Sequence, residues 1–150
     1  MPIDEITQAA RVIRETHDAV ALKAYIDCRF EPADDVEPSK ICKPDNYLRD
    51  FPVDLDARIA AMQVRVQRTE ASYYRAVSRY TRIRENGLAA LDSREIMFNG
   101  SGDPQMAINS LMLLYHSHIA AHKVMLPRYR ELLAQWQAER DQAGHQLMIF

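Results

Sequence analysis

The stretch from Leu55 to Asn86 contains neither proline nor glycine, and it constrains the chain more than any other feature. Written as a heptad, it puts Ile59, Val66, Tyr73 and Tyr80 at one repeating position and Met62, Thr69, Ala76 and Ile83 at another. Thirty-odd helical residues rising 1.5 Å each make a rod on the order of 45 Å long. A rod with one apolar seam needs other helices to cover it, so the spacing predicts a helical bundle. Beside the seam runs a second stripe, Arg58, Arg65, Arg68, Arg75, Arg79 and Arg82, with intervals of 7, 3, 7, 4 and 3. All six are arginine, and Tyr73, Tyr74 and Tyr80 are interleaved with them.

The rest of the chain supplies the covering elements. Asp4 is a candidate cap for a helix reaching about Phe30, with Ile6, Ala9, Ala10, Ile13, His17, Val20, Ala24 and Cys28 on one face. Pro32, Pro38, Pro44 and Pro52 then forbid a continuous helix, so a long loop follows, with Ile41, Tyr47, Leu48 and Phe51 as expected apolar anchors. Asp54 or Asp56 caps the long helix, and Asn86-Gly87 ends it at a residue suited to a left-handed turn. A shorter helix is expected over Leu88–Phe98, with a restart at Asp92. Asn99-Gly-Ser-Gly-Asp-Pro104 is a loop, and Asp103-Pro104 reads as a cap followed by a first-turn proline. The last helix is expected from Pro104 to about Ala143, kinked at Pro127, with Gly144 releasing an apolar tail, Leu147 to Phe150. The expected fold is therefore all-α: a single domain over residues 1–150, built as an up-and-down bundle of three long helices and one short one, with a Pro-rich loop after the first.

Hydrophobic residues at 47% and charged residues at 27% describe a globular chain able to bury a core without a staple. The formal charge is only -2, but it is unevenly distributed. Residues 1–56 carry 13 acidic and 7 basic side chains, whereas residues 57–84 carry 1 and 7. The N-terminus shows neither a basic leader nor an apolar run, which gives a cytoplasmic expectation. Cys28 and Cys42, without CxxC spacing, read as reduced structural thiols.

Between Asp103 and Lys123 lie 19 residues without a formal charge. Three neighbouring helices cannot enclose such a segment completely, so its remaining face is a candidate interface for self-association or a partner. His118 and His122, four apart, project to one side of this helix, and His17 lies on the apolar face of the first. This HxxxH pair with a distant histidine resembles the three-histidine site of DinB-like helical bundles. The resemblance implies that His17, His118 and His122 hold zinc or another divalent transition metal. The alternative is that the histidines serve the core or an interface. Arg11 and His17 loosely resemble the Arg-spacer-His element of helical HEPN ribonucleases. No GxSxG, P-loop, GxGxxG, HExxH or ExxH pair is present, so catalysis is not expected.

The arginine stripe has three readings. Arginine suits bidentate pairing with carboxylates, and Glu31, Asp34, Asp35 and Glu37 stand in the preceding loop, so internal or dimeric pairing is one. An acidic protein partner gripped by Arg58, Arg65, Arg68, Arg75, Arg79 and Arg82 with Tyr74 is the second. Nucleic acid, with phosphates on the guanidinium groups and bases on the tyrosines, is the third. The expected function is non-catalytic binding of another protein together with self-association as a homo-oligomer. Adaptors, inhibitors and accessory proteins of phages or mobile elements act in this way. A histidine-ligated metal bundle and a nucleic-acid binder are the alternatives, and no membrane association is expected.

Overall fold

Capping groups and breakers written into the sequence set the helix boundaries. The computed structural model describes residues 19–149. Among these residues the fold is all-α, with helices α1 (Ala19–Arg29), α2 (Leu55–Asn86), α3 (Ser93–Gly100) and α4 (Pro104–Ile149). Asp54 starts α2: its carboxylate accepts from the Ala57 amide at 3.0 Å. Gly87 ends α2 with φ +58°, a conformation that costs glycine little. Asp92 and Glu95 form a reciprocal capping box on α3, Asp92 accepting from the Glu95 amide at 2.8 Å and Glu95 from the Asp92 amide at 3.0 Å. Asp103 caps α4 by accepting from the Gln105 amide at 3.0 Å, and Pro104 occupies the first turn, where a missing N–H costs nothing.

The end of the last helix and two of the loop anchors differ from expectation. The last helix does not stop at Gly144 but continues to Ile149. A helical glycine with open space around it lowers propensity without acting as a stop. Pro127 lies inside this one helix, as expected. The loop after α1 is organised by 3₁₀ turns at Ala33–Asp35 and Pro44–Asp50. Phe51 and Leu48 anchor it as expected, but Ile41 is 89% exposed and Tyr47 is largely exposed; Phe30, Ala33, Val36 and Pro44 are buried instead. The expected cap at Asp4, the apolar face from Ile6 to His17, and Arg11 lie outside the described residues, as do the side chains of the C-terminal tail.

The chain forms two compact units. The first contains the described residues through Val36 together with Arg75–Ile119; the second contains Glu37–Tyr74 and the residues from Ala120 onward. In the first, α1 packs against the 3₁₀ turn Gly87–Ala90, and Leu22, Ile26, Phe30, Tyr80, Ile83 and Ile108 are buried. In the second, Phe51, Ile59, Met62, Tyr129, Leu132 and Trp136 form the core, with Phe51 edge-on to Trp136 at 5.8 Å. The heptad seam of α2 serves both units: Ile59, Met62, Thr69, Ala76, Tyr80 and Ile83 are buried, and Val66 and Tyr73 are half-buried.

Candidate functional site

The six stripe arginines differ in what they touch. In the second unit, the Arg58 guanidinium lies over the Trp136 ring at 4.6 Å and approaches Glu139 at 3.9 Å. Arg65 covers Phe51 at 5.4 Å and Tyr129 at 6.0 Å. Both are half-buried, so their aliphatic stems and planar heads roof the aromatic core. Arg68 is exposed. In the first unit, half-buried Arg79 pairs with Glu95 of α3, while Arg75 and Arg82 are exposed. Arg68, Arg75 and Arg82 carry no ion pair among the described residues. In the first unit the interval of seven places Arg75 and Arg82 along one line of α2, about 10.5 Å apart. Tyr74, 60% exposed, meets Tyr73 at 5.7 Å.

Among the described residues the acidic loop forms no ion pair with this stripe. The two stripe arginines that find carboxylates take Glu139 and Glu95, neither of them in the loop. Glu31 instead accepts a hydrogen bond from His116 at 2.8 Å, in which His116 Nε2 is the donor, beside the Tyr80 ring. The backbone carbonyl of Glu31 accepts from the Tyr80 hydroxyl at 2.6 Å, and that of Phe30 from Arg84 Nε at 3.0 Å. Arg84, adjacent in sequence to the stripe, thus secures the end of α1. Asp45 in the second unit forms a bidentate pair with Arg128, at 2.7 and 3.0 Å. That hydrogen bonding holds the Asp45 carboxyl below the usual carboxylate range and keeps the Pro44–Asp50 turn on α4.

The histidines of the expected metal site have other settings. His118 is exposed and lies edge-on to Tyr115 at 6.5 Å. His122 shares a hydrogen bond between Nε2 and Ser72 Oγ at 3.0 Å. Among the described residues no group of three or more His, Cys, Asp or Glu is placed to hold a metal ion, and His17 lies outside them. Cys28 and Cys42 are free thiols.

The uncharged stretch yields a surface that its sequence signalled without resolving. In the first unit Met106, Leu113 and Leu114 are 53%, 54% and 48% exposed. With Ser110 and Ser117 they fall at helical intervals on one side of α4, while Ala107, Ile108, Leu111, Met112 and Ile119 are buried on the other. No described helix is long and apolar enough to cross a membrane. No family model, curated protein or solved structure matches the chain.

Proposed function

We propose that the protein is a non-catalytic interaction protein that holds an acidic partner protein on the exposed arginines of α2. The observation that carries this reading is the division of the stripe: Arg58, Arg65 and Arg79 have internal tasks, whereas Arg75 and Arg82 of the first unit present guanidinium groups that meet no carboxylate among the described residues. Arginine makes paired hydrogen bonds to carboxylates, and a step of about 10.5 Å equals seven residues of a facing helix, so an acidic helix with Asp or Glu at heptad spacing is complementary. The net charge of -2 and the absence of lysine from the stripe favour a carboxylate partner over nucleic acid.

Charge reversal tests the reading. Arg75→Glu with Arg82→Glu, in the full chain, is expected to abolish capture of the partner recovered from the native host. Arg49→Glu, also at an exposed position, leaves it intact. Retained capture by the double variant would overturn the arginine face. Stronger binding to duplex or single-stranded nucleic acid than to any protein, falling steeply with salt, would move the assignment to a polyanion.

Self-association through a second copy is supported independently by Met106, Leu113 and Leu114. A face without formal charge can meet its own copy without bringing like charges together. Three half-exposed large side chains lie well below the roughly 800 Å² per partner of a standard interface, so the dimer is weak and concentration-dependent.

A further inference from the structure

We propose that the second unit binds a small anion carrying a planar ring, in the pocket between Tyr73 of α2 and the Pro127 segment of α4. The pocket encloses about 190 Å³ and is lined by Tyr73, His122, Lys123, Leu126, Pro127 and Arg130. Tyr73, Leu126 and Pro127 supply apolar and aromatic wall. Lys123 and Arg130, seven residues apart on α4, supply two cations, and no carboxylate belongs to the lining.

Arg130 is the group best placed to take the anion. Its Nη2 donates to Glu70 Oε2 at 2.9 Å, and its other two nitrogens make no hydrogen bond among the described residues. A guanidinium with donors to spare, at the rim of a ring-lined pocket, matches a phosphate or carboxylate attached to an aromatic group. Glu70 sits on the same guanidinium, so it competes with the incoming anion and repels it. His122 is held by Ser72 through Nε2 at 3.0 Å, which fixes its ring at the pocket wall. The volume is below the roughly 300–1,000 Å³ of drug-sized sites, so it suits one ring with one anionic group and excludes a dinucleotide.

Phenyl phosphate and inorganic phosphate are the probes, followed by amide chemical-shift titration of the full chain. Phenyl phosphate is expected to shift the amides of Tyr73, Lys123 and Arg130 with a Kd of about 1 mM or tighter, and inorganic phosphate to bind about tenfold more weakly because it lacks the ring. Arg130→Gln should weaken phenyl phosphate about tenfold. Glu70→Gln should tighten it by removing the competing carboxylate, a direction that general loss of structure would not produce. No shift at about 10 mM phenyl phosphate, equal binding of the two probes, or weaker binding in Glu70→Gln would each overturn the assignment.

Discussion

Tyr80 shows how a single residue couples helix packing to protonation. It is fully buried, lies edge-on to Phe30 at 6.5 Å, and donates its hydroxyl to the Glu31 carbonyl at 2.6 Å. Burial first, then the Glu31 charge, against the opposing Arg84 charge, push its pKa from 10.0 up to about 12. The folded chain therefore holds this proton more tightly than the unfolded chain does. Its stabilisation is complete below pH 10 and is lost as pH rises from 10 through 12, about 3 kcal/mol in all. Thermal melts across that range should lose stability steeply in the wild type. Tyr80→Phe should remove most of the slope while costing about 1 kcal/mol at neutral pH, because the carbonyl loses its donor; an unchanged slope would assign the alkaline loss elsewhere. The sequence placed Tyr80 on the seam through its spacing with Ile59, Val66 and Tyr73. It could not supply the Glu31 carbonyl, because a contact 49 residues distant exists only once α1 and α2 are packed. The same holds for the arginines: six alike in sequence become three anchored and three exposed according to which neighbour each meets.

At the scale of elements, the junction of α3 and α4 depends on Gly100. A Cβ there would stand 2.7 Å from the Ala107 amide nitrogen and 2.9 Å from the Ala107 Cβ, distances that backbone cannot relieve by a rotamer change. Gly100→Ala should therefore destabilise by about 1–3 kcal/mol in urea unfolding. Gly144→Ala, in the open helical stretch of α4, should instead stabilise by about 0.5–1 kcal/mol. Equal effects at the two positions would contradict the close approach at Gly100. Starts and stops were legible because capping is local: Asp54, Asp92 and Asp103 satisfy amides two or three residues away, and Gly87 needs only its own φ. The extension past Gly144 was not legible, because glycine marks a stop only where the backbone turns left-handed, and the sequence does not state which glycines do so. Nor did the sequence disclose the pocket beside Pro127. Its one signal was the pair Lys123 and Arg130 at an interval of seven around a proline.

At the scale of the whole molecule, the chain passes through each compact unit twice, so α2 and α4 each lend one part of their length to each unit. The uncharged face of α4 belongs to the first of these, and it carries a prediction for the assembly. Sedimentation of the full chain should show a monomer at micromolar concentration and a growing dimer fraction toward about 1 mM, as weak interfaces give. Leu113→Glu should hold the monomer throughout without loss of helix, since Leu113 is 54% exposed; a dimer unaffected by it would place the contact on another surface. The amino-acid sequence by itself determined the helical class, the long α2 with its buried seam, and most helix termini, because periodicity and capping act within a few residues. Only the tertiary structure decided the division into two units, the split of the arginine stripe between aromatic roofs, Glu95 and open surface, and the side of the uncharged helix left exposed. Those outcomes depend on which distant side chains come within a few ångströms of each other, and neither spacing nor composition records that distance.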